Sequence, residues 1–203
     1  MFDEGVPLLA PDLAAYLILQ MDALHALAQH LQLEAEAQHW QAQADAMLSA
    51  LLGELWRGDH FVARLALDGR AVEADTLQTC MPILLGPRLP EAVRAPLAQR
   101  IEWLLTEHGL ASEHPRSVKY SPDGYWRGPI WAPATYIAVC GLERSGYVVL
   151  ARRIAARFCA MCARSGFAEN YDALTGEPLR DPAYTWTASV FLLLAERLAG
   201  SQG

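Results

Sequence analysis

Broad apolar faces at helical spacing are the feature that most restricts how this chain can fold. Six segments repeat apolar side chains every three to four positions, and they cover residues 11–31, 34–56, 90–108, 130–143, 146–164 and 185–199. A shorter helix is predicted at 75–86, with a break near Pro82. Because a helix with a broad apolar face must bury it against more than one neighbour, the pattern predicts an all-α fold of packed helical hairpins.

One segment has the period of a strand instead. Residues 59–73, DHFVARLALDGRAVE, alternate apolar and polar side chains on both sides of Asp68-Gly69. This pattern predicts one small β-hairpin near residues 60–73, closed by a two-residue turn.

Periodicity alone leaves the arrangement of these helices open. No linker rich in Gly, Ser or Pro divides the 203 residues, so a single domain over residues 1–203 is expected. Helical hairpins that close into an α/α barrel give every helix its neighbours. A helical bundle or an α-solenoid satisfies the same pattern.

The charge and hydropathy of the chain exclude several classes of partner. The sequence holds 16 basic and 23 acidic residues, a net charge of -7, and no basic run, so we expect neither nucleic acid nor an anionic membrane surface as a partner. No apolar stretch approaches the roughly 18 residues of a membrane span. The start, MFDEGVPLLAPDL, lacks the features of a signal peptide, and a cytoplasmic location is expected.

No metal site or cofactor motif is predicted. Cys159 and Cys162 form a CxxC within an apolar helical run, where both sulfurs lie on one buried stripe and no second pair completes a zinc site. Cys80, Cys140 and the six histidines add no ligand spacing such as HExxH. GxSxG, Walker and GxGxxG motifs are missing from the sequence, so no cofactor is expected.

Chemistry is concentrated instead in the loops, first in SPDGYWRGPIW at 121–131. This loop carries Tyr125, Trp126, Arg127 and Trp131 within seven positions. Aromatic faces beside a guanidinium suit a sugar, because rings stack on C–H faces while arginine donates to hydroxyls or a carboxylate. A hydrophobic anchor for the loop, with Arg127 in a salt bridge, explains the same residues.

The second loop, GFAENYDALTG at 166–176, places Glu169 between two predicted helices and beside Tyr171. A carboxylate that acts as a base sits in a pocket whose neighbours tune its pKa. A solvated glutamate or the cap of a turn is the alternative. The third stretch, DPAYTWTASVF at 181–191, brings Trp186 to the start of the last helix, where an aromatic residue either packs or binds ligand.

Taken in order, YWRGPIW, GFAENYDALTG and YTWTASVFLLL resemble the C-terminal part of a glycosidase group. The group comprises family 63 α-glucosidases, trehalases, and mannosylglycerate or glucosylglycerate hydrolases. ADTLQTCMPILLG and PDLAAYLILQMDALHALAQHL are also similar to helices of that group, so the resemblance covers essentially the whole chain. It implies about half of an (α/α)6 toroid and an inverting hydrolase.

The resemblance also implies roles for individual residues. By its position in ENYD, Glu169 is the general base. Trp126, Arg127 and Trp131 line the sugar pocket, with Tyr125 in the same loop, and two further residues, Tyr171 and Trp186, close the same side.

The chain departs from this group in one respect. The family's general acid is an aspartate in a DNSP-like motif, which this sequence lacks, and MFDEGVPLLAPDL resembles the segment that follows that motif. A fragment without the N-terminal half and its acid is therefore expected. The possible substitutes are Asp3, Asp12, Asp123 and Asp172, among which Asp123 is the best placed. Loss of the acid typically costs about 10²–10⁴ in rate.

These expectations define a function and its alternatives. The chain is predicted to be a glycoside hydrolase of the α-glucosidase or α-mannosidase type that is weak or inactive by itself. The alternative is a non-catalytic carbohydrate-binding or structural half-barrel. Because half a toroid exposes apolar faces, we expect a homodimer or a partner chain that supplies the missing half, besides a saccharide or glycoside ligand.

Overall fold

A computed structural model of the protein describes residues 7–200. They form two compact units, one ending at Ala74 and the other beginning at Asp75. The single domain over residues 1–203 stays a prediction, and each unit is described by itself. Along the described part of the chain, no helix is both long enough and apolar enough to cross a membrane.

The first unit is built on a helical hairpin. Helix α1 runs over Pro11–His30 and α2 over Glu34–Ala50, and the two pack against each other. Pro11 occupies the first helical turn, where its missing N–H is not needed. A π-helical turn, Leu51–Leu55, continues α2 and surrounds Gly53. Predicted helices at 11–31 and 34–56 are therefore confirmed, the second with a wider final turn.

The predicted hairpin near residues 60–73 is also confirmed, with a longer turn than expected. Strand β2, Ala63–Leu65, pairs antiparallel with β3, Ala71–Val72. The Leu65 N–H donates to the Arg70 carbonyl at 2.9 Å, so the turn between these two residues has four residues instead of the predicted two. Strand β1, Leu8–Leu9, adds a third strand beside β2 that the sequence pattern did not indicate, because two residues show no alternation.

The second unit holds the other helices. They are a 3₁₀ segment at Leu77–Arg88, α3 at Glu91–Trp103, α4 at Ala132–Arg144, α5 at Val148–Ser165 and α6 at Thr185–Ala199. Helix α4 packs against the 3₁₀ segment, α5 and α6, which makes it the centre of this unit. The predicted all-α class is thus confirmed. Helix α3 ends at Trp103, before the predicted end at 108, and the other helix bounds are close to those expected.

The break in the 3₁₀ segment lies at Gly86 and not near Pro82 as predicted. Gly86 has a φ of 54°, in the left-handed region that favours glycine. A Cβ at Gly86 would lie 3.0 Å from the Cβ of Arg144, at the end of α4. The close approach of α4 therefore decides where this segment bends, and no local sequence pattern reports that contact.

Short strands join the long loops of the second unit. Ile130 pairs with Ala111 on one side and with Tyr171 on the other, in antiparallel bridges. Strand β4, Asn170–Tyr171, in turn pairs with β5, Pro178–Leu179. This ladder brings the loop at 121–131 beside the loop at 166–176, and it is what positions the candidate site.

Two buried thiols cause the free energy of unfolding to fall at alkaline pH. Burial raises the pKa of Cys80 to about 11 and that of Cys162 to about 12, from the ordinary value of 9.0. The native thiols therefore hold their protons more tightly than the unfolded chain does. Their stabilisation is complete below pH 9 and is lost progressively as the pH rises toward these native values.

We expect the free energy of unfolding to fall between pH 9 and pH 10 by about 1 kcal/mol for each thiol. Urea unfolding followed by circular dichroism at pH 8, 9 and 10 measures this slope. A Cys80→Ala/Cys162→Ala variant is the control and should show a shallower decline. Stability that is constant or rising across that window would contradict the burial of both thiols.

Candidate functional site

Five aromatic side chains from the loop at 121–131 and the start of α6 meet in one group, which we call the aromatic cluster: Tyr125, Trp126, Trp131, Tyr184 and Trp186. Trp131 is its centre and is only 1% exposed. The Trp126 ring stacks on it, with centroids 4.2 Å apart and planes 17° apart. Trp186 meets Trp131 edge to face at 5.7 Å, and Tyr125 does so at 4.8 Å. The structure thus brings together four of the aromatic residues predicted from the sequence.

The loop at 121–131 folds back on itself to make this stack possible. The Ser121 N–H donates to the Arg127 carbonyl at 2.7 Å, and Trp131 Nε1 donates to the Tyr125 carbonyl at 2.9 Å. A Cβ at Gly128 would lie 2.3 Å from the Ser121 carbonyl oxygen, so only glycine fits there. The side chain of Arg127, between Trp126 and Gly128, is exposed.

Glu169 is half-buried, and its main chain is tied to the start of α6. Its N–H donates to the Asp181 carbonyl at 2.8 Å, and its own carbonyl accepts a hydrogen bond of 3.2 Å from Trp186 Nε1. One residue earlier, the Ala168 carbonyl accepts a hydrogen bond of 2.6 Å from Thr187 Oγ1. Within residues 7–200 the Glu169 carboxylate has no hydrogen bond or ion pair of its own. The main chain at Glu169 is therefore fixed beside Trp186, and no described residue engages its carboxylate.

Tyr171 lies beneath the loop and not at its surface. The residue is 0% exposed, and its hydroxyl donates to the Gly166 carbonyl at 2.5 Å while accepting from the Ala168 N–H at 3.0 Å. Its oxygen also lies 3.6 Å from the Cys162 sulfur of α5, and burial raises its pKa. The geometry supports a role in holding the turn before Glu169, while contact with a sugar stays a prediction.

The aspartates that could replace a missing acid have other partners or lie elsewhere. Asp123 pairs with Arg180 at 2.6 Å. Asp172 Oδ1 accepts from the Leu174 N–H at 2.7 Å and so shapes the turn of its own loop. Asp12 belongs to the first unit, at the start of α1, where burial raises its pKa. Asp3 falls outside the described residues.

Asn170 is a polar residue of the site that the sequence reading passed over. It is 0% exposed, and among residues 7–200 neither its amide nitrogen nor its amide oxygen finds a hydrogen-bond partner. The antiparallel pairing of Ile130 with Tyr171 places Asn170 opposite Trp131, on the same face of the ladder. A buried amide without partners costs about 1–3 kcal/mol. Alternate residues of an extended segment point to opposite faces. The position of Asn170 between Glu169 and Tyr171 was therefore the one sequence signal that could have singled it out.

Comparison with known proteins identifies relatives of the chain. Residues 4–187 match the mannosylglycerate hydrolase MGH1-like glycoside hydrolase domain. Over 127 residues the chain is 33% identical to a mannosylglycerate hydrolase of Thermus thermophilus, covering 61% of this chain and 30% of that protein. It is 30% identical to the mannosylglycerate hydrolase MGH1 of Selaginella moellendorffii, covering 62% and 26% of the two chains. The matched 127 residues therefore span less than a third of the length of these relatives.

Solved structures agree with this assignment. A family 63 mannosylglycerate hydrolase of Thermus thermophilus in complex with glucose superposes with a TM-score of 0.81 and 27% identity, over 94% of this chain and 46% of that one. The neutral trehalase of Saccharomyces cerevisiae, at 18% identity and a TM-score of 0.72 over 93% and 38%, shares the fold. These neighbours are (α/α)6 barrels of which the chain covers a part, as the sequence predicted. The chain belongs to the MGH1-like glycoside hydrolase family, within the family 63 group.

Proposed function

We propose that the chain provides the general-base half of an inverting glycoside hydrolase site, with Glu169 as the base. The observation that carries this proposal is the position of Glu169. Its carbonyl is hydrogen-bonded to Trp186 of the aromatic cluster, and its carboxylate has no partner among the described residues. A carboxylate without a protein partner, on a half-buried residue whose main chain contacts an indole, suits the activation of a water molecule.

The proposed reaction assigns a separate task to each part of the site. The Glu169 carboxylate accepts a proton from a water molecule while that water attacks the anomeric carbon. The bond to the leaving oxygen breaks on the opposite face, where an acid donates the second proton. Inversion of this kind needs carboxyl groups about 6.5–9.5 Å apart, so that the water fits between sugar and base. The indoles of Trp126 and Trp186 stack on the C–H faces of the sugar, and Arg127 donates to its hydroxyls or to a carboxylate.

We further propose that the acid comes from outside residues 75–200. Within that unit, Asp123 is engaged by Arg180 and Asp172 by its own turn, which argues against either as the proton donor. The chain by itself is then weakly active at best. The proposed source of the missing half is a partner chain or residues beyond this chain. A second copy in a homodimer would instead cover the exposed apolar faces.

The proposed substrate is a mannose or glucose unit in α linkage to a small hydroxy acid. Support comes from the relatives, which are named mannosylglycerate and glucosylglycerate hydrolases, and from one solved relative in complex with glucose. A second function, carbohydrate binding without hydrolysis, uses the same cluster. It is supported by the commitment of the nearby aspartates to other partners.

Calorimetric titration of the full chain with mannosylglycerate, glucosylglycerate and trehalose tests the proposal, with proton NMR of the same samples to detect released sugar and its anomeric form. Saturable binding of at least one glycoside is expected, weakened about ten-fold by Trp126→Ala because this change removes an aromatic face on which a C–H face of the sugar would stack. Trp103→Ala is the matched control, since Trp103 stacks on His114 outside the aromatic cluster.

The three possible results have distinct meanings. Released sugar that first appears as the inverted anomer supports the hydrolase. Binding without released sugar supports the carbohydrate-binding alternative. Absence of binding for all three glycosides, in the wild-type chain, would overturn both functions.

A further inference from the structure

Arg180 connects the segment that follows the second loop to the tip of the first loop, at Asp123 and Tyr125. It follows β5 directly and has a φ of 63°, in the left-handed region. Its Nη2 lies 2.6 Å from Asp123 Oδ1 and donates to the Asp123 carbonyl at 3.4 Å. Its guanidinium carbon also lies 5.2 Å from the centre of the Tyr125 ring, a cation–π distance. One side chain from the segment after the second loop thus engages two residues at the tip of the first.

The tip that Arg180 engages has a conformation that needs support. Tyr125 has a φ of 58°, which a residue with a side chain adopts only when its surroundings hold it there. Trp131 Nε1 secures the Tyr125 carbonyl from inside the loop at 2.9 Å. Arg180 secures the ring of the same residue from outside. Trp126 is the next residue, so the backbone conformation at Tyr125 decides whether the Trp126 ring reaches Trp131.

We propose that Arg180 is a positioning residue that keeps Trp126 stacked on Trp131. The ion pair with Asp123 and the cation on Tyr125 hold the tip in its left-handed turn, and this turn directs Trp126 onto the stack. Arg180 directly precedes Asp181, and the Asp181 carbonyl accepts a hydrogen bond from the Glu169 N–H. The clamp therefore sets the distance between the proposed sugar platform and the proposed base. This role in binding rests on the proposed function, whereas the clamp can be tested without a ligand.

The contribution of this clamp to global stability is small. The side chains of Arg180 and Asp123 are 35% and 61% exposed, and ion pairs so exposed contribute little to folding. A planar guanidinium is required for both contacts at once, since a lysine can replace the ion pair but stacks less well on a ring. Removal of Arg180 should therefore change the loop and the ligand affinity while leaving the melting temperature nearly unchanged.

Circular dichroism in the indole exciton region tests the clamp directly, because stacked indoles such as Trp126 and Trp131 give a paired positive and negative band. Arg180→Ala is expected to lower this signal at least two-fold, with a melting temperature within about 2 °C of wild type. Arg180→Lys should give an intermediate signal. Arg152→Ala, on the exposed side of α5, is the matched control and should change nothing.

A titration of the same variants with mannosylglycerate tests the effect on binding. Arg180→Ala is expected to raise Kd about three- to ten-fold, and to add nothing further in a Trp126→Ala background because both changes remove one platform. Should Arg180→Ala fail to fold, Asp123→Asn removes the ion pair alone and should lower the exciton signal in the same direction.

An unchanged exciton signal in Arg180→Ala, or fully additive effects with Trp126→Ala, would overturn the clamp. Failure of the wild-type chain to bind any glycoside would overturn the proposed function only. The exciton signal would in that case still decide whether Arg180 positions Trp126.

Discussion

Replacing Glu169 with Gln is expected to lower the hydrolysis rate of mannosylglycerate or glucosylglycerate by about 10²–10⁴-fold. The amide keeps the shape of the side chain but cannot accept the proton of the attacking water. The main-chain bonds of residue 169 to Asp181 and Trp186 are unaffected by the change, so the loop should keep its position. Product release followed by proton NMR, with Kd from calorimetry, measures both consequences.

The matched control for that variant is Glu177→Gln, which alters an exposed glutamate directly after the same loop. The control should hydrolyse at the wild-type rate. For Glu169→Gln we expect Kd to stay within about two-fold of wild type, since the aromatic cluster is intact. Equal hydrolysis by Glu169→Gln and wild type would remove this residue from the mechanism, whatever supplies the acid.

Trp131→Ala is expected to lower the free energy of unfolding by about 3–5 kcal/mol, the range typical of truncating a buried tryptophan to alanine. Trp131 is 1% exposed, bonds the Tyr125 carbonyl and contacts three other aromatic rings. Its removal therefore leaves a cavity and an unpaired carbonyl in the centre of the cluster. Urea unfolding followed by circular dichroism measures the loss.

Trp131→Phe keeps most of the apolar volume and should cost less, which lets ligand binding be measured in a folded variant. Trp103→Ala, with its indole 44% exposed, is the control for loss of a tryptophan and should also cost less than Trp131→Ala. A loss below about 1 kcal/mol for Trp131→Ala would show that the cluster does not stabilise this unit. Such a result would favour a loosely attached loop instead of a fixed platform.

The helices could be predicted because their signals are local. Residues 11–31 and 185–199 were expected to be helical, and the structure has helices at Pro11–His30 and Thr185–Ala199. Apolar side chains at a period near 3.6 and prolines at helix starts report on a few neighbouring residues only. Strands β1, β4 and β5 escaped prediction for the same reason, since two residues are too few to show a period.

The candidate site was predicted by residue type and motif order, but not by contact. The indoles predicted from the sequence do meet, and the Glu169 carbonyl is bonded to Trp186, while the roles of these residues stay predictions. The burial of Tyr171 against Cys162, the orphaned amide of Asn170 and the pairing of Arg180 with Asp123 were not foreseen. The last pair is separated by 57 residues in the chain, and nothing in either segment alone indicates it.

By itself the sequence determined the helical segments, the small hairpin, the glycosidase family and the residue types that surround the proposed sugar site. Only the tertiary structure decided which indoles stack, which way each loop side chain points and which charges pair. Helix formation depends on hydrogen bonds four residues apart, so a short stretch of sequence contains most of the information. The geometry of the site depends on the ladder Ala111, Ile130, Tyr171, which joins three distant segments and exists only once the second unit has packed.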